Sequence, residues 1–238
     1  MDDLLQYNEV SYWNERFRDE QEYDWLCDFD GFSHCLLPYM KKSDRIAHLG
    51  CGNSRLSIEL FNRGYKNITN IDYSPVLIEK LAPEYPEMKF ICDDIRSLSK
   101  LPSNNYDIVI EKASIESLMV AEKDPWNPSE KAVDEINAVC GAIQRIMKPN
   151  SYFFSISFTQ PHFRVPLLLR ARNWNCEVDR FGSNFHYFCY RLQKGKEPNM
   201  DRLRCYFLGQ NSSNHEKPAP QLTVMEETNP LENICPDL

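Results

Sequence analysis

At 238 residues with 42% hydrophobic side chains, the chain is long enough for one sizeable domain with its own core and a tail beyond it. Its net charge of −8 disfavours nucleic acid as a partner, and no apolar run is long enough to cross a membrane. The acidic start lacks the pattern of a signal peptide and the nine cysteines lack a paired metal-ligand spacing, so we expect a cytoplasmic protein with reduced thiols and no metal site.

Residues 1–26 are rich in aromatic side chains, including Trp13, Phe17 and Trp25. Trp13 and Phe17 are four residues apart, so they share one face if this stretch is helical. Two interpretations stay open: the helix packs on the domain as ordinary core, or it covers a ligand. A short helix follows and ends at Pro38. We assign residues 1–40 to an N-terminal helical lid.

The stretch from Arg45 to Ser54 is the centre of the next domain. Residues 45–49 form an apolar run typical of a buried strand, and residues 55–63 place most of their apolar side chains on one helical face. Gly50 and Gly52 lie between them, where the absence of a Cβ lets the backbone turn sharply and approach a ligand. A strand, a Gly-x-Gly turn and a helix form the opening of a nucleotide-binding α/β unit.

Acidic residues end the next two predicted strands. Asp72 ends the strand over residues 68–73, where a carboxylate can accept both hydroxyls of a ribose, although a strand-end Asp is also a common helix cap. Asp94 follows the strand over residues 89–93 and can accept from an adenine amine. A dinucleotide site needs a third Gly or Ala, but the chain has Arg55 after the turn, which argues against a pyrophosphate. An adenosine ligand without phosphate remains, and S-adenosylmethionine fits best.

The rest of the domain continues the alternation of strands and helices. We predict strands over residues 106–111 and 152–158, helices over 113–121 and 129–147, and an antiparallel pair over 174–180 and 186–192. This order predicts an α/β, Rossmann-like, doubly wound sheet of seven strands, mostly parallel, with the last strand antiparallel. Its ligand belongs at the carboxyl ends of the strands, where Gly50, Asp72, Asp94 and Lys112 lie.

Three residues of this domain allow either a structural or a functional interpretation. Lys112 directly follows a strand, and on position alone such a lysine is usually a solvated loop charge. His162 and His186 could be catalytic, but a lone histidine in such a setting is more often a hydrogen-bonded structural residue. Position therefore assigns no catalytic role to any of the three.

The composition changes near residue 197, which sets a second boundary. We assign residues 41–196 to the ligand-binding domain and residues 197–238 to a C-terminal extension. Residues 202–208 can still pack on the domain. From about residue 209 onwards, the chain contains Asn, Ser, Pro and Glu with few large apolar residues together, which predicts a mobile tail.

Several short motifs resemble one known family. They are Leu-Gly-Cys-Gly-Asn-Ser at 49–54, Asp-Tyr-Ser at 72–74, Glu-Lys at 111–112, Asp-Pro-Trp at 124–126 and Pro-His-Phe-Arg at 161–164. Together, over about residues 7–195, they are similar to the seven-β-strand methyltransferases that modify lysines of translation elongation factor 1-alpha. The resemblance implies a protein-lysine N-methyltransferase that uses S-adenosylmethionine and acts on elongation factor 1-alpha.

The resemblance also implies individual site residues. It implies contacts to S-adenosylmethionine from Trp13, Phe17, Trp25, Gly50, Asp72, Tyr73, Asp94, Ile95 and Lys112. Phe17 stands where the family usually has a tyrosine, and Ala113 and Glu116 stand where it usually has Gly and Asp. If that Gly has a positive φ, Ala113 affects turnover or target choice. We expect Glu116 to be the catalytic residue that orients the incoming ammonium. Two alternatives stay open, a catalytically impaired cofactor-binding interaction module and a small-molecule methyltransferase.

Overall fold

The structure is a computed structural model that describes residues 2–170, 173–183 and 185–207. Its strands are β1 Ile46–Leu49, β2 Ile68–Asp72, β3 Lys89–Cys92, β4 Tyr106–Lys112, β5 Met147–Ser157, β6 Glu177–Phe181 and β7 Tyr187–Gln193. Its α-helices are α1 Val10–Asp19, α2 Phe29–Leu36, α3 Leu56–Asn62, α4 Pro75–Glu84, α5 Ser114–Met119, α6 Glu130–Ile146, α7 Pro161–Leu168 and α8 Met200–Leu203. Short 3-10 helices span Asp2–Asn8, Leu37–Tyr39 and Arg204–Phe207. The predicted mobile tail lies outside the described residues.

The strands form one sheet in the order β3-β2-β1-β4-β5-β7-β6. Neighbouring strands pair in parallel except for β7, which runs antiparallel to both β5 and β6. The chain moves outward from β1 to β3 and then returns to place β4 on the other side of β1, so the strand order reverses between β1 and β4. The structure therefore confirms the predicted doubly wound sheet with an antiparallel last strand.

The central strands are buried on both faces, which explains their nearly continuous apolar sequences. Every residue of β1 and β2 is buried, and in β4 only Asp107 is partly exposed. One hydrophobic core includes residues of α5, α6 and α7, and another includes residues of α2 and α3. No helix in the described part of the chain has the length and apolar character needed to cross a membrane.

Serine side chains cap the starts of α4 and α6. The hydroxyl of Ser74 accepts from the amide of Leu77 at 3.2 Å at the start of α4, and Ser129 accepts from the amide of Ala132 at the same distance in α6. Capping satisfies one of the free N–H groups in the first turn of a helix. The cap of α4 is therefore Ser74, which leaves the carboxylate of Asp72 for other partners.

The edge strand β6 is shorter than predicted. It begins at Glu177, whereas the sequence predicted a strand from residue 174. Trp174 is instead fully buried, donates from Nε1 to the carbonyl of Leu168 at 2.8 Å and forms an isolated bridge with Lys194. The apolar pattern of this stretch therefore comes from burial of an anchor residue ahead of the strand.

The described C-terminal residues stay on the domain. Leu203 in α8 and Tyr206 in the following 3-10 helix are buried in the core that contains α7. This packing confirms the prediction for the stretch that begins at residue 202.

Candidate active site

A cavity of about 590 Å³ opens at the carboxyl ends of β1, β2 and β4. It lies where the strand order reverses, which is the position at which open α/β sheets bind ligands. Its walls come from the N-terminal segment, the glycine turn, α5 and α7. All the predicted site residues line it: Trp13, Phe17, Trp25, Gly50, Asp72, Tyr73, Asp94, Ile95, Lys112 and Glu116. The structure brings this set together, and the role of each residue remains a prediction.

The glycine turn between β1 and α3 fits closely against the start of α5. Gly50 and Gly52 have φ values of 56° and 50°, in the left-handed region. A Cβ on Gly50 would lie 2.2 Å from the hydroxyl oxygen of Ser114, which is also 3.2 Å from the carbonyl oxygens of Leu49 and Gly50. Gly50 therefore lets the end of β1 pack against α5 while the chain turns beside the cavity.

Asp72 connects β2 to the glycine turn. Its carboxylate is buried, and each of its oxygens accepts one backbone amide at 3.0 Å, from Gly52 and from Ser74. Burial raises the pKa of this carboxyl, and the two amides oppose that shift. Because each carboxylate oxygen can accept a second hydrogen bond, Asp72 can also receive two hydroxyl groups. Ribose binding requires this acceptor capacity.

Asp93 and Asp94 have different environments after β3. Asp93 accepts from the amide of Lys100 at 2.7 Å and is not part of the cavity lining. Asp94 lines the cavity and forms an ion pair with Arg96 at 2.6 Å. Burial raises the pKa of Asp94, but the hydrogen bonds from Arg96 outweigh burial and hold that pKa below its ordinary value. Asp94 is therefore an ionised acceptor that an amine donor can reach.

All three N–H donors of the Lys112 ammonium form hydrogen bonds to other groups of the protein. Its Nζ donates to Oδ1 of Asp24 at 2.7 Å and to the carbonyl oxygens of Trp25 and Cys27 at 3.1 Å. The side chain of Lys112 is 2% exposed, so it is not the solvated loop charge that its position alone suggested. These contacts hold the segment that contains Trp25 against the cavity.

Aromatic side chains of the N-terminal segment form one wall of the cavity. Trp13 stacks on Phe17 with their centroids 5.5 Å apart and meets Trp25 edge-on at 6.2 Å. Lys80 in α4 donates to the carbonyl of Phe17 at 3.1 Å and so attaches α1 to the domain. Phe17 is buried in a small core cluster and also lines the cavity, together with Trp13 and Trp25.

The segment after β4 contains a residue in an unfavourable conformation. Ala113 has a φ of 61° and a ψ of 10°, so the position where the resembling family has glycine does adopt a positive φ. Before it, the buried carboxylate of Glu111 accepts from the amides of Ser114 at 3.0 Å and Ile115 at 3.3 Å, at the start of α5. Burial and the nearby Glu116 raise the pKa of Glu111 to about 7.

Glu116 joins α5 to α7 in the cavity wall. Its Oε1 accepts hydrogen bonds from the hydroxyl of Ser157 and from the guanidinium of Arg164. Its Oε2 is buried and has no hydrogen-bond partner among the described residues. Sequence reasoning placed Glu116 at the site but gave Arg164 no role, although Arg164 belongs to a motif that carries the resemblance.

The structure changes which histidine belongs to the site. His48 lines the cavity, whereas His162 and His186 are not among the lining residues. Nδ1 of His48 is 2.9 Å from the hydroxyl of Ser57, and burial lowers the pKa of His48 to about 3, so its ring is neutral. Sequence reasoning missed His48 because it lies inside the apolar run of β1.

Comparisons of sequence give named relatives. Residues 47–155 match the family described as a methyltransferase domain. EEF1A lysine methyltransferase 4 of Mus musculus is 35% identical over 206 residues, which is 84% of this chain and 80% of that protein. The protein of the same name from Bos taurus is 35% identical over 204 residues, which is 83% of this chain and 80% of that protein.

Solved structures share the fold. The N-methyltransferase NodS from Bradyrhizobium japonicum, in complex with S-adenosyl-l-homocysteine, has a TM-score of 0.56 at 12% identity, covering 79% of this chain and 100% of that chain. PH0226 from Pyrococcus horikoshii has a TM-score of 0.54 at 20% identity, covering 76% and 99%. At these identities the likeness concerns the architecture alone.

Proposed function

The chain belongs to the family of S-adenosylmethionine-dependent methyltransferases that includes EEF1A lysine methyltransferase 4, and from this membership we propose that it methylates a lysine of translation elongation factor 1-alpha. One observation carries the proposal: the predicted cofactor residues and Glu116 line a single cavity. A cofactor at the glycine turn and an amine between α5 and α7 would then share one space.

S-adenosylmethionine is the cofactor, and it supplies a methyl group activated by its sulfonium. In this proposal Asp72 accepts the ribose hydroxyls beside Gly50 and Tyr73, and Asp94 with Ile95 contacts the adenine. The buried acceptors of Asp72 support this assignment because they face a cavity and retain free lone pairs.

The rest of the cofactor would contact the N-terminal wall. The faces of Trp13 and Trp25 suit a positively charged sulfonium, and Lys112 supports Trp25 from behind. Arg55 stands where a dinucleotide site needs a third Gly or Ala, and its side chain is exposed and pairs with Glu22 at 3.0 Å. An adenosine ligand without phosphates fits this arrangement.

The amine side of the cavity suits a lysine. A lysine amine has a pKa of about 10.4 in water, so at neutral pH it arrives as an ammonium. Glu116 provides a carboxylate to receive it, and the apolar side chains of Leu118, Phe163 and Leu167 suit the methylene stem. Holding the amine in line with the methyl group supplies much of the rate acceleration.

The proposed organisation is a lid of residues 1–40 over the domain of residues 41–196, with residues 197–238 as an extension, acting in the cytoplasm. The ion pair between Asp24 and Lys112 supports a lid that is attached to the domain. A second candidate is a cofactor-binding module impaired in catalysis, and the positive φ of Ala113 beside the site is the observation that favours it.

The test is transfer of a labelled methyl group. The protein is incubated with labelled S-adenosylmethionine and purified elongation factor 1-alpha, and the labelled residue is identified by mass spectrometry. We expect label on one lysine, loss of label with Asp72→Ala and unchanged label with Asp134→Asn, an exposed position on α6. Cofactor binding without label on this or any other protein of an extract would favour the interaction module, and label in small molecules alone would overturn the protein substrate.

A further inference from the structure

Three charged side chains are buried together at the cavity wall formed by α5 and α7, where Glu116 and Arg164 line the cavity and Glu111 is not among the lining residues. Glu111 and Arg164 are 1% and 2% exposed, and the side chain of Glu116 is 10% exposed. Ser157 at the end of β5 connects two of them, since its hydroxyl donates to Glu116 and accepts from Arg164 at 3.1 Å. Buried charges need compensation from other groups. The hydrogen bonds and charges around these three side chains therefore indicate which group a ligand would have to supply.

Only one of the two carboxylate oxygens of Glu116 receives hydrogen bonds from the described residues. Its Oε1 receives the hydroxyl of Ser157, the guanidinium of Arg164 and, at 3.4 Å, the hydroxyl of Thr159. Its Oε2 is buried without a hydrogen-bond partner in the described part of the chain, and so is Nε of Arg164. A buried carboxylate oxygen without a donor is unfavourable, so Oε2 marks a position where a ligand can supply the donor.

When Glu111 loses its proton, the cluster is also short of one positive charge. Glu111 receives the backbone amides at the start of α5 and needs no further donor. When Glu111 and Glu116 are both ionised, two negative charges face the guanidinium of Arg164. An ammonium supplies both the missing charge and an N–H donor, and Leu118 and Phe163 line its approach with apolar surface.

We propose that Arg164 is a positioning residue for the amine that accepts the methyl group. Arg164 holds Oε1 of Glu116, which leaves Oε2 to accept an N–H from the incoming ammonium. A lysine at position 164 would keep the charge but lose the planar guanidinium that reaches both Glu116 and Ser157. The inference rests on the proposed transfer of a methyl group to an amine.

The experiment measures amine recognition separately from turnover. The probe is S-adenosylhomocysteine with an aminobutyl chain attached at sulfur, and its matched control carries a pentyl chain that ends in a methyl group instead of the amine. Calorimetry gives the ratio of the two affinities for the wild type, Glu116→Gln, Arg164→Lys and Arg191→Lys. Arg191 is the control because it is a buried arginine that pairs with Glu177 and Asp179 outside the cavity lining.

We expect the wild type and Arg191→Lys to prefer the amine by about tenfold or more, because a hydrogen bond to a charged group contributes that much. Glu116→Gln and Arg164→Lys should lose most of this preference, while S-adenosylhomocysteine itself binds all four proteins within about twofold. In methylation assays Arg164→Lys should lower kcat by about tenfold or more with a smaller change in KM. If Arg164 had only a structural role, Arg164→Lys would either leave the amine preference unchanged or also weaken the binding of S-adenosylhomocysteine.

The outcomes separate this inference from the proposed function. An Arg164→Lys protein with the full amine preference and wild-type kcat overturns the inference and leaves the proposed function standing. A wild type without amine preference overturns the inference as well. A preference that depends on both Glu116 and Arg164, together with no label on elongation factor 1-alpha, supports the inference and contradicts the proposed protein substrate.

Discussion

The ammonium of Lys112 lies 2.7 Å from a carboxylate oxygen of Asp24, and the two side chains are only 2% and 19% exposed. This pair joins the end of β4 to the segment before α2. The hydroxyl of Ser54 also donates to Asp24, at 2.5 Å, so the glycine turn contacts the same carboxylate. Three parts of the cavity wall therefore meet at Asp24, so Lys112 helps to hold this wall together.

Replacing Lys112 by Met should destabilise the protein by about 3 kcal/mol, because it leaves a largely buried carboxylate without its partner. It should also weaken cofactor binding, since Trp25 loses its support. The matched control is Lys148→Met, whose ion pair with Asp107 has the same distance of 2.7 Å at 36% and 30% exposure. An exposed pair contributes about 0–1 kcal/mol. Urea unfolding measures the free energy of unfolding that each variant loses. Equal losses for Lys112→Met and Lys148→Met would show that burial does not make the Lys112 pair more important for stability.

Asp72→Ala should weaken cofactor binding by about 3 kcal/mol or more, because it removes the acceptor of two ribose hydroxyls and each hydrogen bond to a charged group contributes about 1.5–3 kcal/mol. The substitution also leaves the amides of Gly52 and Ser74 without their acceptor, so stability should fall as well. Asp93→Ala is the control, because Asp93 is buried and accepts the amide of Lys100 but lies outside the cavity lining. We expect calorimetry to show normal cofactor affinity for Asp93→Ala. Equal affinity for both variants would return Asp72 to a structural role.

The strands of the sheet could be predicted closely because their burial dictates their sequence. β1 and β2 are buried along their whole length, and their apolar runs mark them within one residue of the observed bounds. β6 lies at the edge of the sheet and alternates less clearly, so the sequence predicts strand at Trp174, which is instead an anchor in the core. Burial on both faces thus makes β1 and β2 predictable from the local pattern, whereas the burial of Trp174 depends on its packing in the core.

Some residues of the candidate site could be predicted from the sequence and others could not. The residues at strand ends could be predicted, because the ends of parallel strands meet at one edge. Asp24 and Arg164 could not be assigned roles, since their partners Lys112 and Glu116 are 88 and 48 residues away along the chain. Such pairs depend on packing between elements, and no local motif reports that packing.

Ala113→Gly should stabilise the protein by about 1 kcal/mol, because glycine adopts the left-handed conformation without the steric cost that alanine bears. The control is the same substitution at Ala138, an exposed position inside α6, where glycine should cost about 1 kcal/mol. In urea unfolding, Ala113→Gly should raise the free energy of unfolding and Ala138→Gly should lower it.

If Ala113 is tolerated in catalysis, the variant Ala113→Gly with Glu116→Asp should change the methylation rate only modestly. Restoration of activity to an inactive wild type would favour the impaired module.

Glu111 should make stability depend on pH. Its pKa is raised from 4.5 to about 7 in the folded protein, so the folded state holds the proton more tightly than the unfolded state. The stabilisation of the folded state that comes from this raised pKa is fully present below pH 4.5. It is lost as pH rises through 7, which lowers the free energy of unfolding by about 3 kcal/mol. The stability of Glu111→Gln relative to wild type should therefore increase by about this amount from pH 4.5 to pH 8. Urea unfolding at both pH values tests this, with exposed Glu197→Gln as control. An unchanged difference would show that folding does not raise the pKa of Glu111.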